Sequence, residues 1–190
     1  MRILIAGAEG RVGRQVADQA IGHGHEIHPL TSSRDRTLLT DAIRRAEAVI
    51  STVAIDGAPG GERPQDTTAN LVRAMVREGI GRLVIASVAG AGGHRGDLPL
   101  FGQIAYLLSG TGERLATADL VEGDVMVSDL EWTIVRAAAL TDHDRTGHYR
   151  VVVGPFVPKG KSMPRGDLAA LLLKTAESDR YLRKIVSVAR

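Results

Sequence analysis

Residues 3–17 read Ile3-Leu4-Ile5-Ala6-Gly7-Ala8-Glu9-Gly10-Arg11-Val12-Gly13-Arg14-Gln15-Val16-Ala17: an apolar strand, a turn punctuated by glycines, then the start of a helical pattern. That succession reads as a cradle for the pyrophosphate of a dinucleotide. Gly7, Gly10 and Gly13 let the chain turn tightly, let main-chain N–H groups approach the anion, and let the helix press against the strand. The free N–H groups at the helix start then face the anion, where the helix dipole places about half a positive charge. Gly7, Glu9, Gly10, Arg11, Val12 and Gly13 are the expected contacts. The spacing is Gly-x-x-Gly-x-x-Gly and not the Gly-x-Gly-x-x-Gly fingerprint, so a tight strand-to-helix turn without a ligand is the alternative.

With 190 residues the chain suits one domain, 1–190, with a full-sized core. Aromatic residues make up only 3%, so Val, Ile, Leu and Ala must fill the interior, and base-stacking platforms are not expected. The net charge of +2 is spread along the chain and not gathered in a Lys/Arg run, which argues against a nucleic-acid partner. The absence of cysteine excludes disulfides, thiolate catalysis and Cys-ligated metal centres, so redox chemistry would need a bound cofactor. No stretch approaches membrane-spanning length and no leader precedes the first strand, so the expectation is a cytoplasmic protein without a membrane partner.

Outward from the cradle, a helix spans about Arg11 to Ile21, and Glu26 to Leu30 forms a second strand in which Pro29 suits a sheet edge. Between Leu30 and the strand Ala48 to Ala54, the spacing of Leu38, Leu39, Ala42, Ile43 and Ala46 fits one amphipathic helix. A strand–helix–strand unit needs about 30 residues, so the third strand of a full mononucleotide-binding half has no room. Asp66 to Glu78 reads as a helix closed by Gly79, Arg82 to Ala86 as a buried strand, and Ser87 to Asp97 as a glycine-rich loop. Helices at Glu113–Val127 and Asp167–Glu177 alternate with strands at Trp132–Val135, Gly147–Val153 and Lys184–Val188, the last closing the sheet. The fold class is α/β: a doubly wound parallel sheet of Rossmann type, shortened by loss of its third strand, with ligands at the carboxyl ends of the strands.

In this order the segments resemble an atypical short-chain dehydrogenase/reductase of the NmrA-like and biliverdin-reductase-B-like NAD(P)H-binding type. The resemblance rests on the cradle, Ala48-Val49-Ile50-Ser51, Thr68 to Met75 leading to Gly81-Arg82-Leu83-Val84, Ser128 to Arg136, and Met163 to Ala169. It implies an NAD(P)H-dependent oxidoreductase, with the helix Glu113–Val127 as the surface of a homodimer. Two departures stand out. The third strand, often ending in Gly-Asp beside the adenine, is missing, and the usual Arg-Pro is Arg136-Ala137. The Tyr-x-x-x-Lys pair of typical superfamily members is also absent, since Tyr106, Tyr149 and Tyr181 are followed four residues on by Gly110, Val153 and Ile185. That acid–base route is closed.

Choice of cofactor falls at the end of the second strand, where Ser32, Ser33, Arg34 and Arg36 favour NADP, because guanidinium groups bind phosphate in a bidentate manner. Asp35 argues mildly the other way, so NAD remains an option, and a solvated turn with a helix cap is the plain alternative. By analogy with the fold, the nicotinamide lies beside Thr52, Val53, Ala54 and Ser87. Ser87 is a candidate for orienting a substrate carbonyl, against the commoner role of satisfying local backbone groups. Tyr106 faces the pocket or packs, and His143, in Asp142-His143-Asp144, is a candidate acid or part of a solvated turn. The stretches Asp56–Gly61 and Ala89–His94 read as mobile lids. His23, His25 and His28 lack an accompanying carboxylate pattern, so no metal is expected. The expected activity is hydride transfer from NADPH to a small molecule; a nucleotide sensor without turnover, or a pocket enzyme that has lost its dinucleotide, are the alternatives.

Overall fold

Alternate residues of the first strand, β1 (Arg2–Ala6), enter two different cores: Ile3 and Ile5 face one layer of helices, Leu4 and Ala6 the other. That period of two, with no polar face, marks a strand buried on both sides. The structure, a computed structural model, describes residues 1–92 and 112–190. Tyr106 and His94 lie outside them.

The chain continues as α1 (Arg11–Gly22), β2 (Glu26–Pro29), α2 (Arg36–Arg45), β3 (Ala48–Ser51), a short α3 (Val53–Asp56), a 3-10 turn at Pro59–Gly61, α4 (Pro64–Glu78) and β4 (Arg82–Val88). Then come α5 (Gly112–Met126), β5 (Glu131–Ala137), β6 (Leu140–Thr141), β7 (Arg150–Val153), β8 (Met163–Pro164), α6 (Arg165–Ala176) and β9 (Lys184–Ala189). The sheet order is β2-β1-β3-β4-β5-β9-β7, and β6 pairs with β8 apart from it. On one face Val12 and Val16 of α1 meet Leu168 and Leu172 of α6. On the other Leu39 and Ile43 of α2, Leu71 and Met75 of α4, and Val121 and Val125 of α5 cover Val49, Leu83 and Ile134.

Two expectations hold here for physical reasons. The strand with Pro29 is the sheet edge, and α2 passes directly from β2 to β3 with no strand between. Others are corrected. The strand expected over Ala48–Ala54 ends at Ser51, because the Ile55 and Asp56 N–H groups turn back to the Thr52 carbonyl and start α3. The strand expected to stop at Ala86 continues through Ser87 and Val88, which pair with Arg136 and Ala137. The strand from Lys184 does not close the sheet: β9 lies inside it, parallel to β5, and β7 runs antiparallel along its outer side. Burial explains the placement, since Val186, Ser187, Val188 and Ala189 are buried whereas β7 is largely exposed.

One buried cation ties the sheet to α6. The Arg82 guanidinium donates to the Glu131 carbonyl at 2.7 Å and to Thr133 Oγ1 at 3.1 Å. Its other end donates to the Thr175 carbonyl in the last turn of α6 and to the Ser178 carbonyl just beyond it, at the end of the helix dipole that favours a positive charge. At the opposite end of α6 the buried Asp167 carboxylate accepts from the Thr146 N–H, from Thr146 Oγ1 at 2.7 Å and from the Gly147 N–H at 2.8 Å. Burial opposes ionisation, but these bonds outweigh it and hold the carboxyl below its usual range.

Arg82→Ala strands several buried carbonyls, so it should lower unfolding stability by about 3 kcal/mol, read as a lower urea midpoint. For Asp167 the folded pKa is depressed, so its contribution is full above the unfolded carboxyl value of about 3.9 and lost as pH falls through the folded value. The stability gap between the protein and Asp167→Asn should be present at neutral pH and close in strong acid; a gap that does not depend on pH contradicts this.

Candidate functional site

The turn between β1 and α1 is built by contacts that leave no room for a side chain. Gly7 has φ +89°, and a Cβ there would lie 2.5 Å from Thr52 Oγ1. A Cβ at Gly13 would lie 2.0 Å from the Gly7 carbonyl oxygen, so the first turn of α1 rests directly on the end of β1. This is the close strand–helix contact that the glycine spacing implies. It leaves the first N–H groups of α1 pointing out of the carboxyl edge of the sheet.

An anion already meets those groups. Asp56 Oδ2, from the end of α3, accepts the N–H of Val12 at 3.0 Å and of Gly13 at 2.9 Å. Gly10 is what lets it in, since a Cβ at Gly10 would lie 2.1 Å from Asp56 Cβ. The cradle therefore offers two backbone N–H donors that fit an oxyanion such as a pyrophosphate oxygen, and in this structure both are taken by Asp56. Beside it, Asp142 pairs with Arg11 at 3.3 Å and with Arg165 at 2.6 Å, which brings the loop after β6 next to the cradle. Glu9 and His143 are exposed and His143 approaches no partner among the described residues.

The end of β2 forms a second polar centre. Ser33 is buried, and its N–H and hydroxyl both donate to Glu62, the N–H at 3.0 Å; Ser32 Oγ donates to the same carboxylate at 2.8 Å and Thr67 Oγ1 at 3.1 Å. Burial opposes ionisation of Glu62, yet the bonds from Ser33, Ser32 and Thr67 prevail and keep its carboxyl below the usual range. Asn70 Nδ2 on α4 donates to the Ser33 carbonyl at 3.2 Å. Asp35 is turned away: its carboxylate caps α2 by accepting from Thr37 and Leu38 at 2.9 and 3.0 Å. Arg34 and Arg36 are left exposed, and with Arg73 and Arg77 of α4 they line a cleft of about 250 Å³ between α2 and α4.

Farther along the carboxyl edge, Ser87 is fully buried and donates to Glu122 Oε1 at 2.5 Å. Glu122 also receives the Arg136 guanidinium in a fork, Nε to Oε1 at 3.0 Å and Nη2 to Oε2 at 2.5 Å. Ser87 thus serves the ends of β4 and β5 through a buried ion pair. Thr52, Val53 and Ala54, expected beside a nicotinamide, are buried too, and Thr52 Oγ1 lies 3.3 Å from the Gly7 carbonyl oxygen, to which it donates. The first of the two expected lids, Asp56–Gly61, is pinned at both ends by Asp56 and Glu62. The second is described only as far as Gly92.

At the amino edge of the sheet, His25 Nε2 lies 2.6 Å from Glu177, with His23 Nδ1 at 4.0 Å. Glu177, remote in sequence, is the carboxylate that the local pattern around the histidines lacked. It joins α1 to the end of α6 and stands far from the cradle. Sequence reasoning also missed Asp56, Glu62, Arg73, Arg77 and the Glu122–Arg136 pair. Asp56 and its partners are 43 and 44 residues apart, and no local spacing announces such a contact.

Among curated proteins, a dTDP-4-dehydrorhamnose reductase of Mycolicibacterium smegmatis is 52% identical over 44 residues, which are 23% of this chain and only 14% of that protein. Among solved structures, a short-chain dehydrogenase/reductase of Veillonella parvula in complex with NADP superposes with a TM-score of 0.83 at 15% identity, over 100% of this chain and 94% of that one. ChuY of Escherichia coli O157:H7, described as an anaerobillin reductase, superposes with a TM-score of 0.76 at 18% identity, over 100% of this chain and 97% of that one. At these identities the superpositions show a shared fold. The family described as NAD(P)H-binding matches residues 31–179, most of the sheet and the arginine-lined cleft, and the chain belongs to that family.

Proposed function

We propose that the protein is an NADPH-dependent reductase that transfers hydride to a small, hydrophobic or conjugated acceptor. One observation carries the reading: backbone amides at the start of α1 and a cluster of arginines past the end of β2 both offer donors suited to phosphates, while Asp35 is engaged as a helix cap. The amides of Val12 and Gly13 would take the pyrophosphate, and Arg34, Arg36, Arg73 and Arg77 would take the 2′-phosphate of the adenosine end. Asp35, the residue that would favour NAD, is committed to capping α2.

The cofactor, when bound, supplies the hydride. The protein's residues bind and orient. Thr52 fixes the turn of the cradle through the Gly7 carbonyl, and the Ser87–Glu122–Arg136 network holds the carboxyl ends of β4 and β5 together. With no Tyr-x-x-x-Lys pair, and with the Ser87 hydroxyl engaged by Glu122 among the described residues, solvent is the proton source we assign to the reduction. The same engagement of Ser87 favours a second reading, a sensor that binds NADPH without turnover.

Calorimetric titration with NADPH, NADH and their oxidised forms tests the proposal. NADPH should bind at least about tenfold tighter than NADH, and Arg34→Ala or Arg73→Ala should each cost about tenfold in NADPH affinity while leaving NADH unchanged, as expected for one charge-assisted hydrogen bond to a phosphate. Equal affinities, or losses shared by both nucleotides, overturn the assignment to NADPH. Binding at one equivalent without oxidation of NADPH by any of a panel of quinones, flavins and tetrapyrroles would favour the sensor.

A further inference from the structure

The residues between β3 and α4 carry two carboxylates, and each lies on groups that a dinucleotide would use. Asp56 accepts the two amides at the start of α1, and Glu62 accepts Ser32, Ser33 and Thr67 at the end of β2. From these contacts we infer that Asp56 is a built-in competitor for the pyrophosphate and that Glu62 is the latch that keeps it seated. The inference deepens the dinucleotide reading, and its central test needs only an inorganic anion.

The contact is too specific to be a generic helix cap. A cap normally comes from the residue just before the helix, but Gly10 has no side chain to offer and α1 has no side-chain cap of its own. The missing Cβ of Gly10 makes the space that Asp56 fills. A carboxylate oxygen between two backbone amides satisfies the same donors, with the same sign of charge, as a phosphate oxygen would. Glu62 is only 6% exposed, with several donors around an ionised carboxylate, so the far end of the same short segment is fixed.

Such a tethered anion acts by population. If the cradle is free of Asp56 for a fraction f of the time, the apparent dissociation constant of an external anion is its intrinsic value divided by f. An Asp56 seated about nine-tenths of the time weakens the ligand about tenfold. Binding then requires α3 and the turn after it to withdraw, which opens the carboxyl edge of the sheet.

The test is calorimetric titration of inorganic pyrophosphate into the protein, Asp56→Ala, Asp56→Asn and Glu62→Gln, with the amide resonances of Val12 and Gly13 followed in parallel. Asp56→Ala should bind pyrophosphate at least about tenfold tighter than the unmodified protein, Asp56→Asn should fall between, and both amides should shift on binding. Glu62→Gln should give a smaller gain; unchanged affinity there overturns the latch. Equal or weaker pyrophosphate binding by the folded Asp56 variants overturns the competitor, and Asp56→Asn decides this if Asp56→Ala does not fold. An NADPH titration separates this inference from the proposed function. A gain for pyrophosphate with no NADPH binding to any variant leaves the competitor standing and removes the reductase. Equal NADPH affinity with and without Asp56 does the reverse.

Discussion

The first amides of α1 have no partner within their own helix, and much of the architecture answers that fact. A helix cannot leave such donors buried and unmet without a cost of about 1–3 kcal/mol each. Here Gly13 rests directly on the Gly7 carbonyl and Gly10 leaves space for a side chain from the carboxyl edge of the sheet. The turn after β3 supplies it, through Asp56. The early end of β3 and the turn into α3 place that carboxylate over the start of α1, and the chain then runs on to Glu62.

Elements whose signal is local were legible in the sequence. β1, α1, α2 and α4 each repeat one period without interruption, and Pro29 and the short β2-to-β3 interval separately disclosed the missing strand. The interior of the sheet beyond β5 was not legible in this way. Lys184–Ala189 and Arg150–Val153 are both short runs rich in valine, and only their burial against α6 and β5 tells which is inside. Site residues divide along the same line. Gly7, Gly10 and Gly13 were readable because backbone geometry restricts the choice of residue, though Gly10 makes room for Asp56 in this structure. Ser87, Glu62 and Arg136 take their roles from partners on distant strands and helices, and no spacing encodes these.

Loss of the third strand changes more than the length of the sheet. With nothing between β2 and the start of α2, α2 crosses beside α4, and the two helices bring arginines from both sides to the end of β2. Beside the edge strand β2 lies a cleft whose rim carries Arg34, Arg36, Arg73 and Arg77 above Ser33, Leu39, Asn70 and Ala74. Such a surface responds strongly to ionic strength, because exposed charges are screened over a distance of about 8–10 Å near physiological salt.

The placement of β9 also governs the order in which the chain can be assembled. Strand β7 is made before β9, its one neighbouring strand among the described residues, and β5 has β9 as its outer neighbour. During synthesis the units from β1 to β5 can pair in sequence, each strand adding beside one already formed. From β5 onward the growing sheet keeps an apolar edge open while β6, β7, β8 and α6 emerge, and β7 waits unpaired. Arrival of β9 closes both at once, so the last part of the sheet forms as a single cooperative step, and a nascent chain halted before Lys184 presents an edge ready to pair with another chain.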